Sequence, residues 1–140
     1  MWRQFSWESQ DEIVMATFLA PLFRNPGDHE LRNARTGAVL ATRVLTAFDS
    51  ASRRTGLLRH ESLPEGSGLI IAPSSAIHTF FMRFAIDVAF VSKEGRVLKL
   101  RAAVPPWRMA GALRAHAVVE LPAGTLERTG TRRGDRLIVA

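Results

Sequence analysis

The chain contains no cysteine, and only two of its 19 basic residues are lysines, Lys93 and Lys99. The absence of cysteine excludes disulfides, thiolate nucleophiles and thiolate metal sites. The net charge of +6 raises the question of nucleic-acid binding. However, the bias towards arginine is typical of GC-rich coding, and the arginines are scattered, with Arg53-Arg54 and Arg132-Arg133 as the only adjacent pairs. Nucleic-acid binding is therefore a hypothesis that the composition does not favour.

Long hydrophobic runs are also absent. The apolar segment from Ile13 to Phe23 has 11 residues and contains Pro21, whereas a membrane-spanning helix needs about 20. Acidic residues stand before this segment, where a signal peptide would have a basic region: Glu8, Asp11 and Glu12. We therefore predict no membrane span and a cytoplasmic location.

What is present is a chain of 140 residues, 46% hydrophobic, which suits a single domain with its own core. Residues 1–28 are predicted to be an N-terminal appendage. Its apolar stripe over residues 13–23 fits a helix that ends at Asn25-Pro26-Gly27. The alternative is that Met15 is the natural start and that the first 14 residues are an extension. Residues 29–140 are predicted to form a single β domain.

The β character is clearest between residues 86 and 102. Apolar residues alternate along 86–91 and again along 97–102, with Lys93-Glu94-Gly95 as the turn of a β-hairpin. Similar patterns predict strands at 30–35, 38–47, 69–72, 78–83, 117–121 and 136–139. Asp49 is placed to cap a short helix that runs to about Leu58, and a single helical turn is predicted to end at Arg128. This order predicts a mainly β fold: a single compact antiparallel β-sandwich or barrel with one or two short helices.

One segment of the chain resembles a known family. Residues 78–90 (HTFFMRFAIDVAF) resemble the central signature of the bacterial family named domain of unknown function 192, or DUF192. Residues 54–58 (RTGLL), 95–97 (GRV), 105–108 (PPWR), 119–124 (VELPAG) and 134–136 (GDR) agree with its other motifs. The resemblance covers about residues 40–140, and it departs from the pattern at Leu58, where Met is usual, and at Ala85, where the matching branch has Pro. It implies a compact β-sandwich or barrel with a jelly-roll-like outline, and it implies no established activity.

Asp87 is the most informative polar residue, because the alternation places it on one strand face with Ala89 and Val91. A carboxylate among apolar neighbours is costly unless it is paired. We therefore predict that Asp87 has a partner, which is Arg83, Arg108 or a set of backbone amides. Its role is either to fix a loop to the sheet or to take part in ligand binding or catalysis.

Two further titratable residues are candidates on the neighbouring strands. His78 shares a face with Phe80 and Met82 if its segment is extended, and it is a general base, a metal ligand or a packed residue bonded to the backbone. Glu120 either faces the same pocket as Asp87, where two carboxyl groups can perform acid–base chemistry, or is a surface or ion-paired strand glutamate. The four histidines show no metal-ligand spacing, so no metal site is predicted.

Trp107 and Arg108 follow a rigid Pro-Pro step. They form either a binding lip for a sugar, a carboxylate or a peptide, or an aromatic plug on the core with Arg108 as the partner of Asp87. The complete set of predicted ligand-binding residues is His78, Met82, Arg83, Asp87, Trp107, Arg108 and Glu120. The sequence assigns no catalytic residue and predicts no cofactor.

Three functions are compatible with these residues. The first is a non-enzymatic binding or accessory module, with a small polar pocket or a surface for a protein partner. The second is a hydrolase or isomerase of small substrates that uses Asp87 or Glu120 with His78. The third is weak nucleic-acid binding. The sequence leaves the oligomeric state open.

Overall fold

The computed structural model describes residues 17–24, 27–57 and 60–140. These residues contain ten strands and three short helices. The strands are β1 Leu31–Asn33, β2 Val39–Ala41, β3 Arg43–Ala47, β4 Ser67–Ile71, β5 Ala76–His78, β6 Ile86–Val91, β7 Val97–Val104, β8 Met109–Gly111, β9 Ala117–Pro122 and β10 Leu137–Val139. The helices are α1 Pro21–Arg24, α2 Ser50–Thr55 and α3 Thr125–Thr129.

A five-stranded sheet with the strand order β3-β4-β9-β6-β7 forms the centre of the molecule. Every residue of β4, β6 and β9 is buried. Since successive side chains of a strand point to opposite faces, such strands must be covered on both sides. The buried apolar residues accordingly form two core clusters, one on each face of this sheet.

Each face of the central sheet has its own cover. One face packs against the three-stranded sheet β10-β1-β2, which contributes Leu31, Leu40 and Leu137 to the first cluster. The other face packs against the β5–β8 ribbon and the loops around Leu57 and Met82. The prediction of a mainly β sandwich is confirmed, and the sheets do not close into a barrel.

The central sheet differs from the predicted antiparallel arrangement at one pair. Strands β3 and β4 run parallel, with Arg43 opposite Ser67 and Ala47 opposite Ile71. A parallel pair needs a long connection, which α2 and the following loop provide. The predicted strand 38–47 is also divided at Thr42, so that β2 and β3 belong to different sheets.

The predicted strand 78–83 is wrong beyond His78, where β5 ends. Thr79 is buried, and its backbone and side chain bond to the loop at 105–108 rather than to a strand. Phe81 has a φ of 67°, which takes the chain out of the extended conformation. Residues 79–85 therefore form an irregular connection between β5 and β6.

Most of the predicted N-terminal appendage lies outside the described residues. Of the part that is described, Leu19 is fully buried in the first core cluster, and the Phe18 amide donates to the Lys93 carbonyl at 2.9 Å. The boundary at residue 28 stays a prediction. Among the described residues, no helix is long and apolar enough to cross a membrane.

Candidate functional site

Asp87 is buried, with 1% of its surface exposed, and it is fully hydrogen-bonded. One carboxylate oxygen accepts from the Ala103 amide at 2.8 Å, and the other accepts from the amides of Gly124 and Leu126 at 3.1 and 2.9 Å. Of the predicted partners, the backbone amides are therefore confirmed. The prediction of an arginine partner for Asp87 is wrong. The guanidinium of Arg83 instead lies 3.6 Å from the Glu61 carboxylate at the surface.

Local backbone geometry brings these amides to Asp87. A bulge in β7 places Val104 opposite Ile86 and Arg101 opposite Val88, so two residues of β7 face Asp87. Ala103, within the bulge, has a φ of 48° and turns its N–H towards the carboxylate. The other two amides belong to the start of α3, whose N-cap, Gly124, has no side chain to satisfy them. Asp87 thus joins three segments of the fold.

Glu120 lies on the opposite face of the central sheet. In the pairing of β6 with β9, Asp87 is opposite Leu121 and Val88 is opposite Glu120. Directly opposed residues share a face, and successive residues alternate. The predicted convergence of Asp87 and Glu120 on one pocket is therefore wrong, and the two carboxyl groups cannot form an acid–base pair.

The Glu120 side chain is buried beside apolar residues of the neighbouring strands. Only 3% of the residue is exposed, and its strand neighbours are Leu69 and Val88. Its Oε2 atom has no hydrogen-bond partner among the residues that the structure describes. Burial disfavours the charged form and raises the pKa of Glu120 to about 7. Near neutral pH this carboxyl group therefore exchanges between a neutral acid and a carboxylate.

Glu120 lines a cavity of about 590 Å³, which we name the Glu120 cavity. This volume is in the range of small-molecule sites. Its lining combines hydroxyl, guanidinium and imidazole groups with apolar side chains: Ser50, Arg53, Arg54, Thr55, Gly56, Leu57, Ile71, Ser74, Ala76, Ile77, His78, Met82 and Glu120. The cavity thus places several polar groups around the one buried carboxyl group.

Helix α2 forms one wall of the Glu120 cavity. Asp49 caps this helix as predicted, since its side chain accepts from the Ser52 amide at 2.7 Å. Arg53 is bound to the backbone, with its guanidinium donating to the Phe48 carbonyl at 2.9 Å. Arg54 donates to the Ser50 carbonyl only through Nε, at 3.3 Å. The terminal nitrogens of Arg54 have no partner within 17–24, 27–57 and 60–140, so they are free to bind a ligand.

His78 and Met82 both line the Glu120 cavity. They do not share a strand face as predicted, because the chain leaves the extended conformation after His78. His78 is exposed at the end of β5, and its ring stacks on Phe80 with centroids 5.1 Å apart. Met82 is buried in the second core cluster. The Nδ1 atom of His78 accepts from the Phe80 amide at 3.3 Å, as in the predicted alternative of a packed residue bonded to the backbone.

Trp107 lies at the surface with 56% of its area exposed, so it is not a plug on the core. Its ring contacts Phe81 at 4.7 Å and Phe80 at 5.8 Å between centroids. We name Phe80, Phe81 and Trp107 the ring ledge. Arg108 is exposed beside the ring ledge, and its guanidinium donates to the Trp107 carbonyl at 3.3 Å.

The structure therefore divides the predicted site residues. His78, Met82 and Glu120 meet at the Glu120 cavity, the loop residues Trp107 and Arg108 lie outside its lining, and Asp87 lies on the other face of the sheet. The sequence did not single out Ser50, Ser74 or Arg54 as site residues. The signal for Arg54 was present in the RTGLL motif, of which residues 54–57 line the same cavity as Glu120 from the VELPAG motif. In the described part of the chain, no three His, Asp or Glu residues gather as they would around a metal ion.

Two solved structures resemble this fold. A protein of unknown function from Novosphingobium aromaticivorans is 22% identical, with a TM-score of 0.65 over 79% of this chain and 82% of that chain. A Sinorhizobium meliloti protein, described as "a putative transcription regulator", is 21% identical, with a TM-score of 0.66 over 78% of this chain and 89% of that chain. At these identities, the likeness shows a shared fold. Among curated proteins, none matches the chain.

The family resemblance is confirmed by direct comparison. The DUF192 family model, described as "Uncharacterized ACR", matches residues 31–139. The match begins at the first residue of β1 and ends at the last residue of β10, so it includes all three described sheets and the whole lining of the Glu120 cavity. Because it spans most of the chain, the protein belongs to the DUF192 family.

Proposed function

We propose that this protein is a binding module that holds a small polar ligand in the Glu120 cavity. The observation that carries the proposal is the Glu120 carboxyl group, which is 3% exposed, lines a cavity and has an oxygen without a partner among the described residues. A buried polar group without a hydrogen bond destabilises a fold by about 1–3 kcal/mol. A ligand that bonds to this group would offset that cost, which supports binding as its role.

The lining of the cavity indicates the chemistry of this ligand. A neutral carboxyl group donates one hydrogen bond and accepts another, whereas a carboxylate only accepts. Ser50 and Ser74 add hydroxyl groups, and Arg54 adds terminal nitrogens that have no partner among the described residues. Leu57 and Ile71 contribute apolar contact. The cavity therefore suits a compact ligand with neighbouring hydroxyl, amide or carboxyl groups on an apolar frame.

The experiment is an amide NMR titration of the full chain against monosaccharides, amino acids, dicarboxylates and primary amines. We expect saturable shifts at α2, residues 74–78 and residue 120 for at least one of these probes. Glu120→Leu should weaken binding of that probe at least tenfold at pH 6, because leucine has a similar size and removes both the donor and the acceptor.

The matched control is Glu127→Leu on α3, where the side chain is exposed and outside the cavity lining. This variant should bind the probe with unchanged affinity. The absence of saturable shifts with every probe would contradict the proposal, as would equal affinities for the two leucine variants.

A second candidate function is acid–base catalysis on the same ligand. The specific observation is that Glu120, with a pKa of about 7, and His78 line one cavity. A general acid or base works best when its pKa lies near the ambient pH. If the protein hydrolyses p-nitrophenyl esters or glycosides, the rate should change with an apparent pKa near 7, and Glu120→Gln should abolish that change. A rate that is independent of Glu120 would exclude this candidate.

The two remaining predictions concern nucleic acid and location. Nucleic-acid binding stays disfavoured by the scattered arginines, and a titration of labelled short DNA at increasing salt tests it. An affinity that falls steeply with salt would revive this hypothesis. Cytoplasmic location is a prediction that fractionation of cells would test.

A further inference from the structure

We infer that the ligand of the Glu120 cavity is a saccharide, and that it extends from the cavity over the ring ledge of Phe80, Phe81 and Trp107. This inference rests on the proposed function, because it names the ligand class of the same cavity and adds a second subsite to it. The geometry that supports it is the continuous contact between the cavity rim and the ledge.

The rings form an unbroken series that begins at the cavity. His78 lines the cavity, and its ring is stacked on Phe80 at 5.1 Å. Phe80 contacts Trp107 at 5.8 Å, and Trp107 contacts Phe81 at 4.7 Å. A ligand bound at Glu120 that leaves the cavity past His78 therefore meets aromatic faces directly.

The ring ledge is held rigidly by Thr79. Its backbone N–H and C=O bond to Arg108 and Trp107 at 2.8 and 3.0 Å. Its hydroxyl donates to the Pro105 carbonyl at 2.7 Å and accepts from the Arg108 amide at 2.9 Å. These four bonds fix the loop that carries Trp107 against the segment that carries Phe80 and Phe81. A rigid platform loses little conformational entropy when a ligand binds.

The exposure of these rings is not explained by folding. Phe81 is 70% exposed and Trp107 is 56% exposed, so both leave much apolar area in water. Both also have a positive φ, 67° and 68°, which is unusual for bulky residues and costs free energy. Two strained residues that present large rings to solvent side by side are best explained by a ligand that covers them.

The chemistry of both subsites favours a saccharide over other ligands. A pyranose ring has an apolar C–H face, which suits an aromatic ring, and an edge of hydroxyl groups that donate and accept. Such hydroxyls match the neutral form of Glu120, Ser74 and the free nitrogens of Arg54. A phosphate would be repelled by ionised Glu120, and an apolar peptide would leave the polar cavity groups unpaired.

The test uses tryptophan fluorescence of the full chain. The variant Trp2→Phe, Trp7→Phe retains Trp107 as its only tryptophan. The probes are cellohexaose, maltohexaose and chitohexaose, each compared with its monosaccharide. We expect at least one hexasaccharide to produce a saturable blue shift of Trp107 emission, and to bind at least tenfold more tightly than its monosaccharide. Further substitution of Phe81→Ala should reduce hexasaccharide affinity about tenfold and leave monosaccharide affinity within twofold.

The matched control is Leu113→Ala, which removes an apolar side chain that is 94% exposed outside the ledge and should leave every affinity unchanged. Because Phe81 is exposed, urea unfolding should confirm that Phe81→Ala remains folded. If hexasaccharides bind no more tightly than monosaccharides, or if Phe81→Ala has no effect, the ledge subsite is overturned. If only amines, amino acids or dicarboxylates bind at Glu120, the saccharide assignment falls and the proposed function stands. If no probe binds at all, both fall.

Discussion

Asp87 and Glu120 are buried carboxyl residues on adjacent strands of one sheet, yet their surroundings are opposite. Asp87 accepts three backbone hydrogen bonds and joins the β7 bulge to α3. Glu120 is flanked by Leu69 and Val88, and its Oε2 has no partner in the described ranges. Burial of a charged group is tolerated where the fold supplies partners and is costly where it does not. The comparison therefore favours a structural role for Asp87 and makes Glu120 the candidate residue of the proposed ligand site.

The largest expected effect comes from removal of the satisfied carboxylate. Asp87→Ala leaves the amides of Ala103, Gly124 and Leu126 without an acceptor. We expect the free energy of unfolding to fall by about 4 kcal/mol, since each buried donor that loses its acceptor costs about 1–3 kcal/mol and three amides are affected. Urea denaturation measures this change. A loss below about 1 kcal/mol would contradict the structural role of Asp87.

A smaller change in the free energy of unfolding is expected from the titration of Glu120. Glu120 has a pKa raised from 4.5 to about 7 in the fold, so between these values the folded protein binds more protons than the unfolded chain. Its contribution to stability is complete below pH 4.5 and is lost as the pH rises through 7. The difference between these two pKa values corresponds to at most about 3 kcal/mol of the free energy of unfolding.

The comparison variant is Glu120→Gln, which has no titrating group at this position. Urea denaturation of both proteins between pH 4.5 and 8 should show that the wild type loses stability relative to Glu120→Gln as the pH rises. If the free energy of unfolding changed with pH in the same way in both proteins, Glu120 would have a partner in the fold. The contrast with Asp87 would then be removed.

The smallest effect is expected at the bulge that serves Asp87. Ala103 has a φ of 48°, and glycine adopts this conformation without the steric cost that a Cβ introduces. Ala103→Gly should therefore raise the free energy of unfolding by about 0.5 kcal/mol after the entropy cost of glycine. The neighbouring Ala102→Gly, which has no positive φ to relieve, should lower it by about 0.5–1 kcal/mol. Equal effects at both positions, measured by urea denaturation, would contradict this account of the bulge.

Local sequence patterns were sufficient for much of the fold. The hairpin of β6 and β7, the cap at Asp49, the strand β9 and the burial of Asp87 were all predicted from alternation and turn residues, and all are confirmed. The irregular path after His78 was not predicted. Its cause is the set of hydrogen bonds between Thr79 and residues 105–108, which are distant in sequence. Hydrogen bonds between residues that are distant in sequence cannot be predicted from a local pattern.

The candidate site depended on tertiary structure more strongly. The RTGLL motif, His78, Met82 and Glu120 were each noticed in the sequence, but only the fold brings them around one cavity. Arg83 and Arg108 were reasonable partners for Asp87 by charge, and backbone amides took their place. Whether the predicted residues bind a ligand stays a prediction that the titrations test.

The sequence by itself determined the mainly β fold and the position of Asp87 among apolar neighbours, because alternation of apolar residues depends only on neighbours along a strand. The burial of Glu120 was not predicted. Tertiary structure decided which groups each carboxyl group contacts. The register of β6 on β9 sets Asp87 opposite Leu121 rather than opposite Glu120. A shift of one residue in the register of one of the two strands would place both carboxyl groups on the same face. That choice is made by the packing of both faces of the sheet, and it separates a carboxylate that binds three backbone amides from a carboxyl group that lines a cavity.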